Sequence, residues 1–402
     1  MKAVIYGAGN IGRGFIGALF SQSGYEVAFI DIDERIVTRL NDERQYCVRE
    51  VSNDGYKDNI IKPVCAIDGR NIEAVADAVA RADLIATAVG VRALPHIAPS
   101  LAKGLTLRLT EHQKPVNIII CENLLDANSA LRNEISKHLP NADIKLILAN
   151  VGFVEAAIGR MVPIQTPEMQ SGDPLRVCVE SYGYLPVDLD GFVGALPDIR
   201  GMIPYSPFDF YIKRKLYIHN LGHACCAYLG MYNKLEYIYE AIGDPDIRSI
   251  CQDAMLESAA ALAAQYNESA AALTDHVSDL IERFGNRALM DTCARVGNDI
   301  PRKLAPADRL IGAAHCCLAQ NVMPTHIATG CAAAVYAYIN QNNMEQTLKN
   351  AQAVLSDHAG LAPEHPLAGY ILPIYAMLAE GLSIAKVREF IQNACSIGII
   401  GV

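Results

Sequence analysis

The chain has no unbroken apolar run of the roughly eighteen residues that a membrane-spanning helix needs. Its first residues enter a strand pattern at once (Lys2, Ala3, Val4, Ile5, Tyr6) without the layout of a signal peptide, so the expected compartment is the cytoplasm. No low-complexity tract and no internal repeat interrupt it, and with 51% apolar against 19% charged residues it is not a disordered chain. Its 12 cysteines include no Cys-x-x-Cys spacing. They are scattered through apolar segments (Cys47, Cys65, Cys121, Cys251, Cys395), and the neighbours Cys225–Cys226 and Cys316–Cys317 lie in helical patterns where adjacent side chains diverge, so buried free thiols are expected rather than disulfides. Positive charge is also short. With 34 Lys and Arg against 44 Asp and Glu the net charge is −10, which argues against nucleic acid and anionic membranes as partners. A small anionic substrate would need a local basic pocket. The composition carries no signature of an oligomeric state.

What is present begins with a short apolar strand, Lys2 to Tyr6, running into Gly7-Ala8-Gly9-Asn10-Ile11-Gly12 and a helical pattern through about Ser23. In such a turn Gly7 permits the tight reversal, Gly9 lets backbone approach a pyrophosphate, and Gly12 lets the helix pack on the strand, its N-terminus facing the phosphates. Glu26 to Ile30 reads as a second strand ending at Asp31, where an acid can accept hydrogen bonds from ribose hydroxyls. Asp33 adds a second negative charge, and two acids would repel a ribose phosphate, so NAD is expected over NADP. A helix from Asp33 to about Asn41, a looped stretch to Pro63, and a helix from Ile72 to Ala80 follow. The strand Leu84 to Val89 ends in Thr87-Ala88-Val89-Gly90, whose small residues allow a flat cofactor close to backbone. After a helix from Arg92 to about Lys103, Val116 to Cys121 and Ile144 to Ala149 read as further strands. Asn123, at the end of the first of these, is a candidate contact for the nicotinamide side or a substrate oxygen, or else a helix cap. This alternation is that of an α/β, doubly wound parallel sheet of Rossmann type, with strand-like segments at Arg176 to Ser181 and near Val187 closing a domain expected over residues 1–195. Residues 196–402 carry mostly helical periodicity and are expected to form a second, largely α-helical domain.

Within that second domain, Ser206 to Gly230 reads as one helix, with Ser206 as cap, Pro207 in the first turn and Gly230 at the far end. Apolar residues lie on more than one of its faces, so protein should surround it. Yet it carries Lys215, His219, Asn220 and His223, polar groups that are costly to bury without partners. With Lys215 at zero, the step of about 100° per residue puts His219 near 40°, His223 near 80° and Asn220 near 140°, one broad sector. Spacing does not choose between the histidines. Beside a nicotinamide cofactor, Lys215 can serve as base only when neutral, so its ordinary pKa near 10.4 has to fall by roughly 2 to 3, and burial acts in that direction. Asn220 can donate an amide N–H to a developing alkoxide, and His223 can hold a substrate hydroxyl. The His219-x-x-x-His223 spacing also suits helical zinc, but no glutamate follows the first histidine and no third ligand stands out, so no metal is expected.

These motifs together resemble the polyol-specific long-chain dehydrogenase family. The resemblance rests on the opening Gly7-Ala8-Gly9-Asn10-Ile11-Gly12-Arg13-Gly14-Phe15, on Thr87-Ala88-Val89-Gly90, Cys121-Glu122-Asn123, Val151-Gly152-Phe153-Val154-Glu155 and Gly194-Ala195-Leu196-Pro197. It continues in Lys215-x-x-x-x-Asn220-x-x-His223, Arg295-Val296-Gly297, Arg302-Lys303-Leu304 and Asp308-Arg309-Leu310-Ile311, spanning residues 1 to about 315 in order. It implies metal-independent, NAD-linked hydride transfer with Lys215 as general base or acid, Asn220 as oxyanion donor and His223, rather than His219, as substrate contact. The implied reaction is the interconversion of mannitol 1-phosphate and fructose 6-phosphate. Among Arg283, Arg287, Arg295, Arg302, Lys303 and Arg309, the pair Arg302 and Lys303 is the expected phosphate receptor, although interspersed acids (Glu282, Asp291, Asp299, Asp308) make a salt-bridged surface the simpler account of most of these positions. The chain departs from the family pattern at Ile212-Lys213-Arg214, where relatives often carry an acid, at Asn298-Asp299 and at Asn150. A free polyol or a sugar acid as substrate, or a non-catalytic NAD-binding regulator, therefore stand as alternatives.

Overall fold

The computed structural model describes residues 1–111, 114–124 and 126–397. It divides into two compact units, Met1–Tyr211 and Ile212–Val402. The division falls later than residue 195 because the parallel pair β10 (Leu185–Asp188) and β11 (Met202–Tyr205) belongs to the first unit.

The first unit is built on β1 (Lys2–Tyr6), β2 (Glu26–Asp31), β5 (Val64–Asp68), β6 (Leu84–Thr87), β7 (Val116–Ile120) and β8 (Val151–Glu155). They pair in parallel in the order β5-β2-β1-β6-β7-β8. Alternate residues of β1 feed two different cores: Ala3 and Ile5 join Phe15, Phe29 and Val177 on one face, and Val4 and Tyr6 join Val75, Leu101 and Leu105 on the other. A strand covered on both faces has to be apolar throughout, which is why these strands read as continuous runs. The strand order reverses between β1 and β6, and in open sheets of this kind the crevice at that reversal is where ligands bind. Backbone bonds from Gly7 N to Ile30 O (2.8 Å), Ala88 N to Tyr6 O (2.8 Å) and Cys121 N to Thr87 O (3.0 Å) gather the carboxyl ends of the strands there.

Two stretches differ from the expectation. Residues between Asn41 and Pro63 are not a loop but an antiparallel hairpin, β3 (Tyr46–Ser52) and β4 (Gly55–Ile61), extended by β9 (Val177–Val179) parallel to β3. Asn53-Asp54-Gly55 is a turn signal, and Arg49 pairs across the hairpin with Asp58 at 2.6 Å, so polar residues on an open sheet face hid the strands. Ile144–Ala149 is a helix, with Ile147 buried and Leu146 54% exposed, and the strand is the following Val151–Glu155. A short apolar run has no period long enough to separate the two states.

The second unit is helical around Asn220–Tyr232. Nine of its 13 residues, Leu221 and Gly222 with Ala224 to Gly230, are buried. Neighbouring helices approach closely because the contacts are small: a Cβ on Gly330 would stand 2.2 Å from the Cys225 Sγ. The span expected as one helix from Ser206 to Gly230 is three pieces: α-helix Asp209–Arg214, a π-helical turn Lys215–His219, and α-helix Asn220–Tyr232. Ser206 caps nothing; its hydroxyl bonds Asp190, and the Ser206–Pro207 peptide is cis. Gly230 lies inside the helix and not at its end. The described cysteines are free thiols, buried except for Cys65 and Cys316, which are half-buried; the Cys395 side chain lies outside the described set. Among the described residues no helix is long and apolar enough to cross a membrane.

Candidate active site

The glycine turn after β1 is shaped by close backbone approach. Gly7 has φ +99°, and a Cβ there would meet Ala88 O at 2.4 Å; a Cβ on Gly12 would meet Gly7 O at 1.9 Å. Gly9 faces open space. Asn10 and Ile11, both half-buried, begin the first helical turn, which passes into a π-helix at Gly12–Gly17. Asp31 closes the turn from the side: Oδ2 accepts from Ala8 N (2.7 Å) and Oδ1 from Asp33 N (2.9 Å). Its carboxylate is thus fixed in place at the end of β2 beside Gly9, where it lines an open cleft of about 1000 Å³ with Arg13, Asp33, Arg35 and Ile36.

Asp33 does not act as a second bare charge. It caps the helix Glu34–Glu43 through Arg35 N and is held by the Arg35 guanidinium at 3.1 Å, whereas Asp31 has no such cationic partner among its hydrogen bonds. Arg13 was not singled out from the sequence. It is 4% exposed, yet its Nε and Nη1 have no hydrogen-bond partner. Burial draws the guanidinium down while Tyr46, Asp31, Asp173 and Asp33 oppose it. A buried cation short of acceptors, an open Gly9 and an oriented carboxylate fit an anionic dinucleotide, whose oxygens would complete the set.

On the other side of β1, Val89 N and Gly90 N both donate to the buried carboxylate of Glu122, at 3.0 and 2.8 Å, so the Ala88–Val89 segment is pinned from the β7 end. The neighbouring Asn123 is exposed. Glu122 had appeared in the sequence only as part of a family block; its role as a clamp depends on the adjacency of β6 and β7.

In the second unit the π turn changes the geometry of the polar stripe. Asn220 N bonds to Lys215 O, five residues back, so the backbone of the candidate donor is tied to that of the candidate base. Such insertions recur at functional sites. Lys215 and Asn220 are half-buried. His219 is 7% exposed, and burial, with Arg283, His223, His276 and Lys215 nearby, holds its imidazole well below the usual histidine range. His276, on the helix Ala270–Phe284, is drawn down to about 3 by burial and by Arg214 and Arg283. His223 stacks on Phe284 with ring centroids 4.9 Å apart and 11° between planes, and its Nε2 lies 3.4 Å from Asp291 Oδ2. Asp291 is gripped by Arg295, Nε at 2.6 Å and Nη2 at 2.5 Å. The sequence offered Asp291 only as one acid among the basic residues, with no spacing to link it to His223. Among the described residues no group of three or more His, Cys, Asp or Glu side chains is arranged to hold a metal ion.

The expected phosphate pair is arranged differently from a receptor. Lys303 is 5% exposed, and its ammonium donates to the carbonyls of Val296 and Asn298, while burial, with Arg309 and Arg302 adjacent, pulls it down to about 8. It braces a loop from inside. Arg302, 47% exposed, bridges Asp299 (2.6 Å) and Asp308 (3.3 Å), and Arg309 also holds Asp308 at 2.8 Å.

Two family models match the chain, the mannitol dehydrogenase Rossmann domain over residues 1–201 and the mannitol dehydrogenase C-terminal domain over residues 208–365. Curated relatives include a mannitol-1-phosphate 5-dehydrogenase of Bacillus subtilis (strain 168), 39% identical with 92% of this chain and 99% of that protein covered. Another, of Brevibacillus brevis, carries the same name and is 36% identical with 89% and 95% covered. Among solved structures, the Pseudomonas fluorescens mannitol 2-dehydrogenase ternary complex with NAD and D-mannitol has the same fold, with TM-score 0.76 at 16% identity over 98% of this chain and 94% of that one.

The two depressed histidines set a pH dependence. Their folded pKa values lie below the unfolded value near 6.5, so the unfolded chain takes up protons that the folded chain refuses, and stability falls as pH drops below about 6.5. Each such group contributes a slope of up to about 1.4 kcal/mol per pH unit. His276→Gln should therefore flatten the loss between about pH 6.5 and 5, measured by urea unfolding at several pH values; an unchanged slope would contradict the assignment. The sequence blocks, the parallel sheet with its glycine turn, the helical second unit and the matches over nearly all of its length make this chain a member of the mannitol dehydrogenase family.

Proposed function

We propose that the chain is a cytoplasmic NAD-dependent polyol-phosphate dehydrogenase that interconverts mannitol 1-phosphate and fructose 6-phosphate. The observation that carries this reading is the series of relatives named mannitol-1-phosphate 5-dehydrogenase, 36 to 39% identical over most of the chain. Support comes from the placement of Lys215, Asn220 and His223 on consecutive elements, the π turn Lys215–His219 and the α-helix Asn220–Tyr232.

In this reading Gly7, Gly9, Asn10, Ile11 and Gly12 offer backbone to the pyrophosphate, Arg13 supplies a cation, and Asp31 receives the adenosine ribose hydroxyls. Ala88, Val89 and Asn123 border the nicotinamide side. NAD, when bound, supplies the hydride acceptor for alcohol oxidation and, reduced, the donor for ketose reduction. The chain's own task is to manage the proton and the oxygen. In oxidation the carbinol O–H gives its proton to Lys215 Nζ as the hydride leaves the same carbon; in reduction the ammonium returns it. The Asn220 amide donates to the oxygen while it carries alkoxide charge. His223 holds a neighbouring hydroxyl, which fixes the carbon to be oxidised. A cationic neighbour disfavours a protonated amine, and Arg283 stands in the same cluster as Lys215 around His219. For the phosphate, Lys303 is committed to carbonyls, which leaves Arg302, with its exposed edge, as the member of the pair to test.

The test is NADH oxidation with a panel of ketoses, ketose phosphates and keto acids. Turnover of fructose 6-phosphate without turnover of fructose is expected, and the reverse would assign a free polyol. Lys215→Ala should lower turnover by at least about a thousandfold with NADH affinity nearly unchanged, measured by fluorescence titration; a comparable loss of NADH binding would contradict this division of labour. Asp31→Ala should weaken NADH binding and narrow the preference over NADPH. An unaltered ratio would show that another group reads the ribose.

A further inference from the structure

The contacts around His223 assign a role to a residue outside the expected site. The imidazole plane is set by stacking on Phe284 at 4.9 Å. Stacking leaves open which ring nitrogen carries the proton. Nε2 is buried and makes no well-formed hydrogen bond, and Asp291 Oδ2 lies 3.4 Å from it. The carboxylate is in turn held by both nitrogens of an Arg295 fork, and Asp291 is 10% exposed. Its backbone is equally constrained: Asp291 O accepts from Ile238 N (2.9 Å), Thr292 caps the short helix Cys293–Val296, and Cys293 N bonds Glu236 O (2.8 Å).

We infer that Asp291 is the positioning residue that fixes the tautomer of His223, keeping the proton on Nε2 so that Nδ1 is the acceptor available to a substrate hydroxyl. This rests on the reading of His223 as a substrate contact. An ionised carboxylate can only accept, so when this 3.4 Å approach tightens into a hydrogen bond the ring nitrogen must be the donor. Arg295 keeps that carboxylate ionised and aimed. Burial alone would push the Asp291 carboxyl up, but His223 and Arg295 outweigh it and hold the group below the usual carboxylate range. The arrangement follows the wider rule that a functional imidazole is oriented by the partner of its other nitrogen.

Asp291→Asn inverts the logic without changing shape. Arginine has donors only, so Arg295 would take the amide oxygen and turn the amide N–H₂ toward Nε2, driving the proton to Nδ1. The experiment uses the full chain labelled with ¹⁵N-histidine, with the His223 signals identified by their loss in His223→Gln. Two-bond couplings report the tautomer. The wild type should carry its proton on Nε2 alone and Asp291→Asn on Nδ1, with the KM for fructose 6-phosphate raised at least about tenfold and the Kd for NADH within about twofold of wild type. A wild-type His223 protonated on Nδ1, alone or as imidazolium, overturns the inference. So does an Asp291→Asn variant with wild-type KM. The wild-type coupling decides the question even where the variant fails to fold. It also decides it where no ketose phosphate is turned over, a result that would count against the proposed function instead.

Discussion

The bond from Asn220 N to Lys215 O is the constraint on which the chemistry proposed for the second unit depends. In a regular α-helix each N–H reaches back four residues, and a lysine and an asparagine five apart would diverge around the axis. One wider turn alters that rotation and rigidly couples the two backbones. The insertion is tolerated because the helix that follows is enclosed on nearly all sides by packed neighbours, which hold it without help from an amphipathic stripe. A buried helix thereby gains a localised irregularity, and the irregularity coincides with its polar residues.

Both halves of the proposed machinery follow the same economy, in which buried polar groups are either fully engaged or conspicuously short of a partner. Asp31 uses each oxygen on a backbone N–H, Glu122 does the same for Val89 and Gly90, and Lys303 spends its ammonium on carbonyls. These groups build shape. Arg13, with two nitrogens unsatisfied beside an open cleft, is the contrasting case. Since leaving such donors bare costs on the order of 1 to 3 kcal/mol, a ligand whose acceptors reached them would relieve that cost.

How much of this was legible in the sequence depends on the range over which each signal acts. The glycine turn, Asp31 and the strands beginning at Lys2, Glu26, Leu84 and Val116 were legible because turn chemistry and apolar runs are local. The hairpin at Tyr46–Ile61 and the helix at Ile144–Ala149 were misread where local period is weak: an exposed strand carries polar residues on its open face, and six residues make too little helix to show a stripe. The motif points to Lys215, Asn220 and His223 as candidates and does not reach Asp291, because its approach to His223 joins a helix to a loop segment far away in sequence. Asp33 and Lys303 carry the complementary lesson. Charge counts gave each a free charge, whereas the fold had already paired Asp33 with Arg35 and turned Lys303 inward.

An acidic chain that handles a sugar phosphate has to concentrate positive potential locally without building a surface that binds anions indiscriminately. The segment from Arg283 to Arg309 does this by interleaving cations with carboxylates, Arg295 on Asp291, Arg302 on Asp299 and Asp308, and Arg309 on Asp308. Each pair lowers the field seen at a distance, since exposed charges are screened beyond about 10 Å at moderate ionic strength, yet each guanidinium has more donors than one carboxylate can use. The spare donors act only at contact range. For the sugar phosphate proposed as substrate, seating at such forks would count for more than the overall charge, and selection against a free sugar would be a matter of geometry there.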